Sequence, residues 1–288
     1  MLLKLGKFSS LVFLGVLVSS SLEAVTLGVD VGLHDFIVSD IKNDTPLDGI
    51  SGGTSHTLGV NAALWVQHTT EKNINIFAKA EGFLDKDNDH LDPDHIPVWF
   101  DFVIDIDGEI ERINENNLIK WYVYMDNKQN TVSCIEREIR QHIGVGWEYQ
   151  RKALTLALNA YAGFYYIEID DDTPGKRGYT RLELDDGEAS NVFEFEFDYK
   201  FNKSWSFAGS LKRYSANAGF EELETNYDFL LTYDTSDAFL EGTTLNLKVK
   251  YTKYNFDRFN THPLDVLPWD NDTLVQGYIS IPFKLSQR

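Results

Sequence analysis

The chain has 288 residues, with 45 acidic against 26 basic side chains, and carries a formal charge of −19. That sign excludes nucleic acid as a partner, because phosphate recognition needs a basic surface. A single cysteine, Cys134, excludes an internal disulfide framework. A mean hydropathy below zero excludes a bundle of spanning helices but not a spanning β-barrel, whose polar half masks its apolar half in any average.

Residues 1–24 read as an exported leader. Lys4 and Lys7 precede a short apolar core, Leu11 to Val18, and a stretch of small residues ends at Ala24, the expected cleavage point. The apolar run is shorter than the roughly 20 residues a spanning helix requires. The mature chain is then residues 25–288.

From Thr26 the chain alternates. Leu27, Val29, Val31 and Leu33 share one face, with Gly28, Asp30, Gly32 and His34 on the other. After a polar stretch, Leu58, Val60, Ala62, Leu64 and Val66 alternate with Gly59, Asn61, Ala63, Trp65 and Gln67. A short connection leads to a third segment with Lys79 and Glu81 on its polar face. A long acidic loop, Asp85 to His95, precedes Val98 to Asp105, where Phe100 and Phe102 oppose Asp101 and Asp105. Asp107-Gly108 is a turn signal. The partner strand sets Ile119, Trp121, Val123 and Met125 against Lys120, Tyr122 and Tyr124.

In the second half, Ile139 to Tyr149 places Arg140, His142 and Glu148 on its polar side. Arg151-Lys152 reads as a tight turn into Leu154 to Phe164. Asp170 to Ser190 reads as a long loop. The run Val192 to Phe201 carries the sharpest pattern in the chain: Phe193, Phe195, Phe197, Tyr199 and Phe201 face one way, and Glu194, Glu196, Asp198 and Lys200 the other. Alone it fits half of a soluble sandwich or a membrane strand with lipid on one side and water on the other. Lys212 follows on the next strand, then an acidic loop, Ala216 to Glu224, and strands carrying Asp228, Lys248 and Lys250.

About twelve strands result, with short and long connections in alternation and no linker or helical period. That rhythm favours one all-β domain, an antiparallel up-and-down transmembrane barrel. Trp147, Tyr149, Phe201 and Trp205 sit beside tight turns on the apolar face, where an interfacial aromatic girdle belongs. The last strand sets Val275, Gly277, Ile279, Ile281 and Phe283 on one face. In these features the chain resembles outer-membrane β-barrel proteins of Gram-negative bacteria, porin-like in architecture. It departs from them in the Lys284 to Arg288 tail and in Pro282, a donor-less residue that predicts an early end to the last ladder. The resemblance implies an outer-membrane location and recognition of the last strand by the barrel assembly machinery.

With lipid outside, the lumen receives Lys79, Glu81, Asp101, Asp105, Lys120, Arg140, His142, Glu148, Glu194, Glu196, Asp198, Lys200, Lys212, Asp228, Lys248 and Lys250. A sparse charged lining makes a solute channel, and a dense paired one makes a closed barrel. Gly59, Gly144, Gly146 and Gly163 on the inner face favour the channel, for small hydrophilic solutes that are neutral or cationic. The alternative is a non-conducting surface barrel whose long acidic loops bind a partner, a glycan or divalent cations. Asp85, Asp87 and Asp89 have the spacing that opens a calcium loop, but His90 and Ile96 stand where that loop needs glycine and glutamate. Together with Asp170 to Asp172, Asp185-Asp186 and Glu221-Glu222-Glu224, these acids would hold divalent cations loosely, bridging to lipopolysaccharide. No cofactor is expected. An enzyme is not expected either, since Ser55-His56 point to opposite faces and His142 has no nucleophile beside it in sequence.

Overall fold

The computed structural model describes residues 25–39, 55–86, 98–129, 135–169, 184–236, 239–255 and 270–284. Twelve strands close into one antiparallel barrel in which each pairs with its sequence neighbours and β1 with β12. They are β1 (Thr26–Ser39), β2 (Ser55–Thr69), β3 (Ile74–Asp85), β4 (Val98–Asn114), β5 (Asn117–Gln129) and β6 (Ile135–Arg151), followed by β7 (Leu154–Ile169), β8 (Leu184–Lys200), β9 (Trp205–Ala216), β10 (Glu221–Asp234), β11 (Thr244–Tyr254) and β12 (Asn271–Lys284). A single 3-10 turn, Asn217–Gly219, joins β9 to β10. Closure removes every free edge, so the barrel presents no unpaired row of backbone donors to lipid.

The wall is apolar outside. Leu33, Leu64 and Ile143 are each 66% exposed and Phe193 is 61% exposed, within a continuous band of exposed aliphatic and aromatic side chains. Apolar surface on that scale belongs against hydrocarbon rather than water. Toward the short-turn end the band closes with paired rings. Trp147 and Tyr149 lie 6.1 Å apart, Tyr199 and Phe201 5.2 Å, and Trp205 and Tyr233 4.7 Å. Amphipathic rings at this level match the membrane–water boundary.

Strand tilt decides which inner residues meet. The ladder from Thr26, at the short-turn end of β1, passes through Gln67, Phe77, Asp105, Tyr124, His142 and Gly163 to Ser190, near the long-loop end of β8. A path across the strands therefore climbs the barrel, as closure with stagger requires.

Four local readings of the sequence are corrected. Asp107-Gly108 is not a turn: β4 runs to Asn114, with register shifts at Glu109/Glu111 and Arg112/Asn114. A side chain at Gly108 would collide with the Trp121 ring, so the glycine makes room for a neighbour rather than for a bend. The long loop before β8 is shorter than expected, because Leu184–Lys200 is all strand and includes Asp185 and Asp186. Glu221 to Glu224 is likewise strand, part of β10. Finally, the β12 ladder does not end early; Pro282 pairs with Gly28 and the pairing reaches Lys284. The β11 side of that ladder has already stopped at Thr244–Ser280, so no donor is needed from the proline there.

The β6–β7 connection is Lys152-Ala153, one residue later than the sequence suggests, since Arg151 still pairs with Leu154. Lys152 takes a φ of 51°, a left-handed conformation costly for a residue with a side chain. Lys152→Gly is expected to raise stability by about 1 kcal/mol. Urea unfolding in vesicles checks this, and a lower midpoint would refute it.

Candidate functional site

The barrel interior holds two zones of different character. Toward the short turns is a cavity of about 650 Å³, lined by residues of β3, β4, β5, β6, β7, β8, β9, β10, β11 and β12. Its lining includes eight carboxylates: Asp101, Asp105, Asp107, Asp126, Glu148, Glu196, Asp198 and Asp228. Four lysines accompany them: Lys79, Lys120, Lys248 and Lys250. Toward the long loops the bore is filled by buried polar side chains.

The filling centres on Arg140, which is 1% exposed on β6. Its guanidinium donates to Glu224 on β10 at 2.6 Å, and lies 3.3 Å from Glu138 and 3.5 Å from Asp126. Tyr165 donates its hydroxyl to the same Glu224 oxygen at 2.7 Å. The guanidinium carbon stands 5.3 Å from the ring centres of both Tyr165 and Tyr214. A planar cation with several fixed donors suits this position, because it bonds Glu224 and Asp126 and lies within ion-pair distance of Glu138 while its faces pack on rings. Glu138 and Glu224 are fully buried, so their carboxylates rely on protein partners rather than on bulk water.

A second network lies beside it. Glu81 accepts from Asn61 at 2.9 Å and from Gln276, across β1 and β2, at 2.8 Å. Lys79 bridges Asp30 at 2.9 Å and Glu81 at 3.1 Å, and Trp65 donates to Asp30 at 2.9 Å. Above it, the His34 ring bonds Asp85 at 2.7 Å next to a stacked Phe83–Trp99 pair 3.6 Å apart.

Most of the residues singled out from the sequence are thus accounted for in place. Lys79, Glu81, Arg140, Glu194 and Lys212 are held in buried or half-buried ion pairs, with Lys212 bonding Glu194 at 2.8 Å directly across the β8–β9 ladder. Lys120 pairs with Asp107 and lies 3.5 Å from Glu148. Asp101, Asp105, Glu196, Asp198, Asp228, Lys248 and Lys250 face the cavity. His142 meets Ser190 at 2.6 Å, a pairing 48 residues apart in sequence. Its Nδ1 has no hydrogen-bond partner among the described residues. Lys200, the last residue of β8, is exposed at the short-turn rim and does not line the cavity. Asp85 belongs to the wall through His34 and Trp99, while Asp87, Asp89, Cys134 and Asp170 to Asp172 lie outside the described residues. Among the described residues no group of three or more acids, histidines or cysteines is placed to hold a metal ion.

The inner glycines do not leave the space that the sequence suggested. A side chain at Gly59 would meet the His34 ring, one at Gly144 the Tyr161 ring and one at Gly146 the Asn159 side chain. Neighbouring groups occupy those gaps. Asp126 and Tyr214 escaped the sequence reading, and Glu224 was read as a loop acid. Asp126 and Tyr214 were detectable, being in phase with Lys120 and with Lys212 on strands already recognised. Glu224 was hidden by the register shift at Glu222/Glu224, which breaks the alternation before it reaches the buried residue.

No protein-family model and no curated sequence matches the chain. Among solved structures, an outer membrane channel from Pseudomonas putida F1 superposes with a TM-score of 0.50 at 10% identity, covering 90% of this chain and 96% of that one. The KdgM porin in complex with disordered oligogalacturonate gives 0.45 at 9% identity, over 89% of this chain and 99% of that one. The NanC porin gives 0.45 at 10% identity, over 87% and 98%. At such identities the likeness is one of fold alone; the closed twelve-strand antiparallel ladder and the superposition on the Pseudomonas putida channel give this chain a porin-like barrel architecture.

Proposed function

We propose that the chain is exported through its 1–24 leader to the bacterial outer membrane and there forms a channel for small hydrophilic solutes. Neutral and cationic solutes pass in preference to anions. The observation that carries this reading is the charged cavity of about 650 Å³ inside the barrel, in which eight carboxylates outnumber four lysines. Excess negative charge between low-dielectric walls concentrates cations and repels anions. Lipid and lipopolysaccharide surround the wall in this reading, the assembly machinery inserts it, and no cofactor is required.

A non-conducting barrel is the second reading, and the buried Arg140 knot favours it. Single-channel recording of the refolded mature protein in a planar bilayer separates the two. Ohmic steps with a cation-selective reversal potential are expected. Steps with a tenfold anion preference would overturn the charge selectivity, and insertion without any steps would replace the channel by the closed barrel.

A further inference from the structure

The outer wall changes character sharply at the long-loop ends of β9, β10 and β11. Lys212 and Tyr254 bond inward, so their neighbours Arg213 and Lys253 point outward, each in register with Thr225 of β10. The next outward row toward the short turns is Leu211, Tyr227 and Tyr251. Cations thus give way to a leucine and two rings over about 7 Å, the span of two residues along a strand. In a chain of charge −19, two outward cations at one level reverse the prevailing sign.

Neither cation is held in a close ion pair by a described residue. Arg213 lies 4.0 Å from Glu222, beyond hydrogen-bonding distance, and that carboxylate accepts instead from the Thr225 hydroxyl at 2.8 Å. Lys253 is exposed, and its ladder partners, Thr225 and Asn271, are uncharged. Arg137, the outward cation at the same end of β6, is by contrast held by Glu168 at 3.2 Å. Arg213 also lines a groove of about 630 Å³ in the outer wall, together with Leu158, Phe193, Phe195 and Leu211. A second groove, of about 690 Å³, shares Val145, Ala160 and Phe193 with the first and reaches Ala218 in the turn between β9 and β10. Two grooves in the apolar wall that meet over Ala160 and open beside a cationic patch fit a molecule with several acyl chains below an anionic head.

We propose that this face of the barrel binds a phosphorylated, multiply acylated lipid of the outer leaflet, lipopolysaccharide, with a phosphate between Arg213 and Lys253 and acyl chains in the grooves over Ala160. Strands two apart are separated by about 10 Å, a gap that two long basic side chains close onto one phosphate. The guanidinium supplies the paired donors that phosphate accepts and the ammonium a second charge. Long loops face the cell exterior in barrels of this kind, which puts the patch at the level of the outer-leaflet headgroups. The inference rests on the outer-membrane reading but goes beyond the channel, because the site lies outside the bore.

Lipid A is titrated into the full mature protein refolded in detergent, beside its dephosphorylated form and inorganic phosphate, and bound lipid is counted by native mass spectrometry. One lipid A per barrel is expected, at least tenfold tighter than the dephosphorylated lipid and not displaced by inorganic phosphate. Arg213→Gln combined with Lys253→Gln is expected to abolish the preference for the phosphorylated lipid. Glu222→Gln removes the acid nearest the guanidinium and is expected to tighten lipid A several-fold, a gain that misfolding could not produce. Arg137→Gln is the control for charge alone and is expected to leave the affinity unchanged, since Glu168 already holds that guanidinium. Equal affinity for the two lipids, an equal loss in Arg137→Gln, or displacement by inorganic phosphate would overturn the proposal. Conductance is recorded on the same preparations. Steps without a preference for lipid A would remove this site and leave the channel; a preference for lipid A without steps would uphold the site and remove the channel.

Discussion

Arg140→Ala is expected to lower the unfolding free energy in vesicles by roughly 3–5 kcal/mol, the cost of leaving buried carboxylates without their counter-charge. Glu224 and Asp126 lose their cation at once and Glu138 keeps only Lys128 at 3.7 Å, while Glu138 and Glu224 have no exposed surface through which water could compensate. The same variant is expected to conduct in larger steps than the parent, several-fold at matched salt. The guanidinium is the group that joins β6 to β10 across the bore, and its removal leaves three acids that repel one another. Arg140→Lys separates size from charge, because an ammonium is a point donor and cannot serve three acids while stacking on two rings. It should retain part of the stability and an intermediate conductance. Unfolding midpoints and step amplitudes indistinguishable from the parent in Arg140→Ala would mean that the knot neither supports the fold nor limits passage.

Ile143→Arg is expected to destabilise the barrel by about 2–4 kcal/mol in a bilayer, whereas Ile113→Arg is expected to cost about 1 kcal/mol or less. Ile143 is 66% exposed and lies four residues along β6 from the Trp147 girdle, toward the long loops. Ile113 is 57% exposed next to the β4–β5 turn. Were the outer face in water, both changes would replace an exposed apolar residue by a charged one at little cost. The difference between the two positions, rather than either value alone, measures the depth of the lipid. Equal, small effects of both substitutions on urea unfolding in vesicles would remove hydrocarbon from the outer wall.

Which residues share a face was legible in every one of the twelve strands, since an extended chain turns its side chains by two and a hydrocarbon boundary punishes any error in phase. Legibility failed where the phase itself broke. The bulges in β4 and at Glu222/Glu224 hid the end of one strand and the start of another, and with the second they hid Glu224. It also failed for Asp107-Gly108, because a local turn signal cannot reveal that Trp121 needs the space above a glycine. The tight-turn signal at Arg151-Lys152 missed by one residue only, as turn chemistry is local and the register is not.

The class of fold, the number of strands and the direction of each face were therefore written in the sequence, because each depends on neighbours one or two residues apart. The expected short–long rhythm is broken where residues 217–220 alone join β9 to β10 at the long-loop end and residues 235–243 join β10 to β11 at the short-turn end. What the charges do inside was decided by the tertiary structure. Arg140 and Glu224 are 84 residues apart, His142 and Ser190 are 48 apart, and Gln276 and Glu81 are 195 apart. Only the tilt and stagger of a closed barrel bring those positions to one level, so only closure divides a lining of mixed charge into a buried ion-pair knot on one side and an acid-lined cavity on the other.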